Sequence, residues 1–393
     1  MSIELISSSF LNMSLTTLKD QFSFPEDVVY LNTASFSPAF KSVETAGINA
    51  VKAKNRPDYY KASDLFDPVI ELRKLFAEII KVKDYNRVVT IPSVSYGLAT
   101  VANNIELKKG DEILVVAEQF PSNFYIWKTL ADTYEATIRT ITQPEDKSLW
   151  NSAILDQISE KTALVAMAQI HWANGFIFDL KAIREKTRNH DALLVIDGSQ
   201  SVGAMSFSVE DLQPDALVCA GYKWLFGPYG CAYAYYSAYF DNGKPIEQNW
   251  STRLGSEDFS KLTQYQSEYK PLANRYSVGQ SGSFIYVKMQ IAALKEILKI
   301  NPQDLQDYCH SISKTALEDL AQINFYSDAP QDRAKHMFGI KTPKTINLEH
   351  LKEALKAANI HVSFRGEYIR ISCHLFNTKA HFEKLVDTIK SCI

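Results

Sequence analysis

Three polar side chains stand just beyond apolar runs in the middle of the chain. Asp197 closes ALLVID, Gln200 follows in DGSQ, and Lys223 lies past the next run in CAGYKWLFGPYG. Singly, each has a plain structural use: Asp197 as a helix cap or hydrogen-bond acceptor, Lys223 as a solvated amine. Together they make one chemistry. A lysine amine forms an imine with an aldehyde cofactor, and a carboxylate stabilises a protonated ring nitrogen, so that the ring becomes an electron sink. The Gln200 amide supplies a donor to a phenolic oxygen beside that imine.

Such groups act only where a scaffold gathers them. Apolar strand candidates occur at VVTIP (88–92), EILVVAEQ (112–119), TALVAMAQI (162–170), ALLVIDG (192–198) and ALVCAG (216–221). Near-continuous apolar runs separated by amphipathic stretches such as LKAIREKT predict an α/β protein with a mainly parallel sheet covered on both faces. Open parallel sheets present ligands at their carboxyl ends, which is where the three polar residues fall. YEATIRTIT (134–142) reads as a partly exposed strand. The connection from ALVCAG to GCAYAYYS is too short for a helical crossover, so one antiparallel strand is expected.

Helical spacing marks Leu65, Val69, Leu72, Phe76, Ile79 and Ile80, and again Phe284, Val287, Ile291, Leu294 and Ile297. A terminal helix is expected from the stripe Phe382, Leu385, Val386 and Ile389, after the strand-like IRISC. NPQDLQD interrupts the second helix, and another helical stretch begins near Leu305. These patterns divide the chain into an N-terminal segment (1–25) that joins the small domain, a large domain (26–280), and a bridging helix with a C-terminal small domain (281–393).

Composition narrows the class further. The 393 residues are 46% hydrophobic and 22% charged, an ordinary globular balance. The 42 Lys and Arg against 45 Asp and Glu leave a net charge of -3, so no bulk field draws nucleic acid or anionic lipid. The five cysteines, Cys219, Cys231, Cys309, Cys373 and Cys392, form no CxxC pair, and no metal site is expected. The opening MSIELISSSFLN carries Glu4 and no basic region before an apolar stretch. A cytoplasmic protein with no membrane or nucleic-acid partner is the expectation.

The block VIDGSQSVGAMSFSVEDLQPDALVCAGYKWLFGPYG resembles the core of the class V aminotransferase superfamily, in the group of cysteine desulfurases, selenocysteine lyases and isopenicillin-N-epimerase-like proteins. The likeness runs from YLNTASFSP near residue 30 to RISCHLFNT near residue 370. It implies a fold-type I transferase dependent on pyridoxal 5'-phosphate: a mostly parallel seven-stranded sheet between helices, with a smaller α+β domain. By that resemblance Lys223 and Asp197 are catalytic. IPSVSYG is similar to the phosphate-binding turn and places Val94 and Ser95 at the phosphate. Phe120, in AEQFPSNFYIW, stacks on the ring. AQIHWANG sets Asn174 near the phenolic oxygen, with His171 as a neighbour. Arg370 takes the substrate carboxylate, helped by Asn32. Gln280, in NRYSVGQSG, reaches the cofactor of a neighbouring subunit, so a homodimer is implied.

Two departures bear on the reaction. Desulfurase-like chains commonly carry Ser-Gly-His before the lysine, whereas this one has Ala220, Gly221 and Tyr222; Tyr222 is then the hydroxyl available to the phosphate. HVSFRGEYIRIS also lacks the mobile cysteine that attacks substrate sulfur in desulfurases. Cysteine desulfurase activity is therefore expected to be absent. Arg365 stands in that shortened region, either at the surface or against an acidic group of the substrate. The working assignment is an aminotransferase acting on an amino acid or small amine. A lyase or epimerase of the same family is the alternative, and a ligand-binding protein with decayed catalysis the outlying one.

Overall fold

The computed structural model describes residues 20–393. Residues 1–19, most of the proposed N-terminal segment, lie outside that range. The described chain begins with a short strand β1 (Val29–Tyr30), helices α1 (Lys41–Ala53) and α2 (Ser63–Ile79), and strand β2 (Val88–Ile91). Helix α3 (Val94–Ala102) leads to β3 (Glu112–Val116), α4 (Ser122–Tyr134) to β4 (Thr137–Ile141), and α5 (Trp150–Gln157) to β5 (Thr162–Ala168). Then come α6 (Leu180–Asn189), β6 (Leu193–Asp197), the single turn α7 (Val209–Leu212), β7 (Ala216–Ala220) and β8 (Ala232–Tyr236). Helices α8 (Tyr286–Ile297) and α9 (Pro302–Ala321) are followed by β9 (Tyr326–Ser327), β10 (Met337–Lys341) and α10 (Leu348–Ala357). The chain ends with β11 (Ile360–His361), β12 (Ser363–Arg365), β13 (Tyr368–Ser372) and α11 (Lys379–Lys390).

Seven strands form one sheet in the order β2-β8-β7-β6-β5-β3-β4. β8 runs antiparallel to both neighbours, as the short connection after β7 requires, and the remaining pairs are parallel. The central runs are apolar at most positions because both faces are buried. Leu114, Val116, Leu194, Ile196, Leu217 and Cys219 feed the core on one face. Their neighbours Ile113, Val115, Val195 and Val218 feed the core on the other. β4 at the edge alternates with solvent, which accounts for its mixed composition.

A four-stranded antiparallel sheet, β12-β13-β10-β9, packs with α9, α10 and α11 as the smaller unit. The four apolar residues of the terminal stripe are all buried in α11. NPQDLQD starts a helix as well as ending one: Asn301 caps α9 by accepting from Gln303 N–H, and Pro302 takes the first helical position, where its missing donor is harmless. The start of the expected large domain is stitched to this unit, with β1 pairing in parallel to β11 and Asn32 bridging to Ser372.

Close packing joins the two units at the HWANG turn. Gly175 has φ +82, and a Cβ there would lie 2.3 Å from the Met337 carbonyl oxygen. At Gly339 a Cβ would meet the Asn174 Cα at 3.0 Å. Both glycines let the turn lie directly on β10, one strand away from Arg370.

Candidate active site

The carboxyl ends of β2, β3, β5, β6 and β7 converge on one cleft. Asp197 is the last residue of β6, level with Ala168 of β5 and Val218 of β7. Three residues past β7 comes Lys223. Both line the cleft, together with Gln200, Ser95, Val94, Phe120 and Tyr222. Six expected positions between residues 94 and 222 thus meet Lys223 in one place.

Lys223 is only 9% exposed. Burial holds its ammonium below the ordinary lysine range; Asp197 opposes that depression, and the Arg370 charge adds to it. Its Nζ lies 5.5 Å from the Phe120 ring centroid and 5.7 Å from that of Tyr222. Asp197 Oδ1 accepts from Ser199 N–H at 2.9 Å, and the residue lines the cleft. Gln200 donates through Nε2 to the Ala34 carbonyl at 3.0 Å and accepts through Oε1 from Trp224 Nε1 at 2.9 Å. One Nε2 hydrogen remains for the cleft. His336 fixes this loop from behind, with Nε2 donating to the Gln200 carbonyl at 2.8 Å.

The phosphate-like corner is the start of α3. Ser93 is the N-cap and its Oγ accepts from Tyr96 N–H at 3.1 Å. The amides of Val94 and Ser95 belong to the unpaired first turn of the helix and suit an anion. The Ala220 methyl lies in the cleft with no hydroxyl to offer, while Tyr222, Ser199 and Ser122 bring hydroxyls to its walls.

Arg370 of β13 is 2% exposed and lies outside the residues that line the cleft, although its charge is felt at Lys223. It donates through one terminal nitrogen to the Trp172 carbonyl at 2.9 Å and through the other to Ser35 Oγ at 2.7 Å. Its Nε is buried without a partner. Burial and the nearby Arg365 charge lower it to about 9, with Tyr30 opposing. A buried guanidinium with an idle donor and no bonded carboxylate is chemically suited to an anion.

Some expected residues fall elsewhere. Asn32 does not bond Arg370; its Oδ1 accepts from Ser363 Oγ at 2.6 Å, and Ser35 of the same YLNTASF run makes the direct contact. Asn174 is buried with Oδ1 accepting from Phe176 N–H, outside the residues that line the cleft. His171 is buried against the Ala117 carbonyl at 3.3 Å. Gln280, with φ 62, borders a different hollow beside Trp250 and Phe66. Trp172, adjacent to the motif histidine, is not among the expected residues, yet it lines the cleft and packs edge-on against Phe120 at 5.5 Å.

Fold and site together define an α/β enzyme of fold type I, the pyridoxal-phosphate group. Residues 29–383 match the aminotransferase class-V family, and the chain belongs to that family. An uncharacterized aminotransferase of Bacillus subtilis is 26% identical over 319 residues, 81% of this chain and 82% of that one. A probable cysteine desulfurase of Halalkalibacterium halodurans is 26% identical over 260 residues, 65% of this chain and 60% of that protein. Among solved structures, the cysteine desulfurase of Thermococcus onnurineus superposes with TM-score 0.83 at 19% identity, covering 95% of this chain and 96% of the other. A cystine C–S lyase in complex with its product cysteine persulfide superposes with TM-score 0.81 at 18% identity, covering 92% and 97%. At those identities the structural likeness carries the fold.

One expectation is overturned. The exclusion of cysteine desulfurase chemistry rests on a single missing thiol, but several relatives carry that name and the matching folds include two cysteine desulfurases. A loop cysteine sets only the route by which sulfur leaves. Its absence does not remove the lysine, the carboxylate or the arginine on which the class depends.

Proposed function

We propose that the protein is a pyridoxal-phosphate-dependent lyase that removes sulfur from a cysteine-type amino acid, in preference to the aminotransferase expected from sequence. The observation that carries the reading is the convergence of a buried Lys223 between Asp197 and a carboxylate-free Arg370. Relatives and folds with sulfur-removing names support the substrate class.

Pyridoxal phosphate, when bound, supplies an aldehyde that captures an amine and a ring that takes up negative charge. The α3 amides at Val94 and Ser95, with the Tyr222 hydroxyl, hold its phosphate. Asp197 Oδ2 holds the proton on the ring nitrogen, and the spare Gln200 hydrogen serves the phenolic oxygen. Phe120 and Trp172 cover the ring and exclude water. Arg370 orients the substrate carboxylate through a two-pronged contact, so that the Cα–H faces Lys223. Lys223 Nζ, whose neutral amine form burial favours, would remove that proton. The sulfur then leaves in one of two ways. If it takes the Cβ–S electron pair, pyruvate and ammonia remain after water adds; if a thiol takes the sulfur atom, alanine remains.

The test is product analysis of the holoenzyme with L-cysteine and L-cystine. Sulfide or persulfide appearing with pyruvate or alanine, and lost in Lys223→Ala, supports the lyase. Amino transfer that requires added keto acid, without sulfur release, would return the assignment to an aminotransferase, the activity named for the B. subtilis relative. In a homodimer, the reading gives Gln280 to the partner's cleft.

A further inference from the structure

We propose that His336 is a positioning residue for the cofactor. Held as one tautomer by Gln306, it sets the Gln200 loop so that the spare Gln200 hydrogen meets the phenolic oxygen beside Lys223. The role rests on the placement of Gln200 under the proposed function, and it is the same whether sulfur or an amino group is removed.

The tautomer follows from the donors around the ring. Gln306 of α9 accepts through Oε1 from Lys335 N–H at 2.9 Å, which fixes the end of its carboxamide that donates. Its Nε2 then donates to the Ala204 carbonyl at 2.7 Å and to His336 Nδ1 at 2.8 Å. With Nδ1 accepting, the hydrogen of a neutral ring sits on Nε2, and it is donated to the Gln200 carbonyl at 2.8 Å. Burial pushes the ring's pKa down to about 4, so above that pH the ring is neutral and the arrangement holds.

This path joins the substrate side of the molecule to the cofactor side. His336 immediately precedes β10, and its carbonyl accepts from Cys373 N–H at 2.9 Å, three residues past Arg370. On its other side, Trp224 stands edge-on to the imidazole at 4.4 Å and donates to Gln200 Oε1 at 2.9 Å. The same tryptophan follows Lys223 in the chain. Gln200 is therefore held at its backbone by His336 and at its carboxamide by Trp224 and Ala34, which gives its remaining hydrogen one direction. Gln306, His336, Gln200 and Trp224 are all buried. A buried polar path is stable only when its members satisfy one another, and losing one loosens the rest.

The experiment follows the absorbance of the Lys223 adduct with pyridoxal phosphate against pH, with no substrate and no turnover. A donor to the phenolic oxygen competes with the imine nitrogen for its negative charge, so losing that donor raises the titration midpoint. Gln200→Met should raise it by about 0.5–1 pH unit, the net worth of one hydrogen bond. His336→Phe keeps the bulk against Trp224 and should raise it at least half as far. His336→Gln places an amide donor near the position of Nε2 and should stay within about 0.2 unit of wild type. With Gln200→Met already present, His336→Phe should add nothing. The groups felt at Lys223, namely Asp197, Arg370, Cys219 and Arg365, are the same in all of these proteins. No rise in His336→Phe, or an equal rise with Gln200 already replaced, overturns the role. Should His336→Phe not fold, Gln306→Met, which keeps the ring and frees its tautomer, carries the same comparison in both backgrounds. A midpoint unmoved by Gln200→Met overturns the placement of Gln200 as well; one moved by Gln200→Met alone overturns only the role of His336.

Discussion

Arg73 in α2 and Arg370 in β13 are both buried arginines without a bonded carboxylate, yet their surroundings differ. Arg73 bonds neighbouring protein groups: Nε donates to the Val88 carbonyl at 2.8 Å, and one terminal nitrogen reaches the Tyr85 carbonyl and Asn86 Oδ1. Its guanidinium also stacks 5.3 Å from the Tyr85 centroid. Its partners lie within 15 residues of it and include backbone at the start of β2. Arg370 draws its partners from the far ends of the chain and still leaves Nε idle. Under the proposed function, the first guanidinium serves the fold and the second a ligand.

That contrast is open to direct attack. Arg370→Gln should lower kcat/KM by about 10²–10³-fold, the loss typical of one partner of a buried charged contact, while the urea midpoint stays close to wild type. A large loss of stability with activity per folded molecule intact would make Arg370 structural and end the comparison. Arg73→Gln should do the opposite. Removing three hydrogen bonds from a buried site predicts about 2–4 kcal/mol of lost stability, measured by urea unfolding, with near-normal kcat for the folded fraction.

A third buried cluster tests the structural half of the contrast. His336 is held down to about 4 by burial, and His374, buried against Phe226 with neither ring nitrogen bonded, to about 3 by burial and the His336 charge. Both fold as neutral rings. The unfolded chain binds their protons near pH 6.5 and the folded chain does not, so stability is complete above that pH and falls as pH drops toward 4 and 3. The slope should approach about 2.7 kcal/mol per pH unit at most, with denaturant titrations at successive pH values as the measure. His374→Asn should flatten it between pH 6.5 and about 5.

The smallest expected effect concerns Lys223. Its amine should capture pyridoxal phosphate with a midpoint below 10.5, because burial lowers it. Asp197 works against that lowering, so Asp197→Asn should move the midpoint further down, read from the absorbance of the adduct against pH. An upward move would mean that Asp197 is not the nearest charge.

Much of this architecture is legible in the order of residue types. The alternation of apolar runs and amphipathic stretches announces a doubly covered sheet, because burial on both faces demands it of each strand locally. Asp197, Gln200 and Lys223 fall at strand ends within a single block of sequence, and a sheet of known direction must bring such ends together. Asn174 and Asn32 show where that logic stops. Each sits in a motif that does reach the site, yet neighbours in those motifs, Trp172 and Ser35, make the contacts.

Short-range pattern along the chain therefore sets the chemistry available: an amine, a carboxylate and a strand-end cleft. Folding at long range dictates which guanidinium groups make their charge felt at that cleft and what they lack. Ser35 meets Arg370 across 335 residues, and Arg365 shares its hairpin face only through the register of β12 on β13. The first contact follows from the N-terminal strand region closing on the smaller unit and the second from pairing within that unit's sheet, and nothing in the local spacing of residues encodes the 335-residue separation.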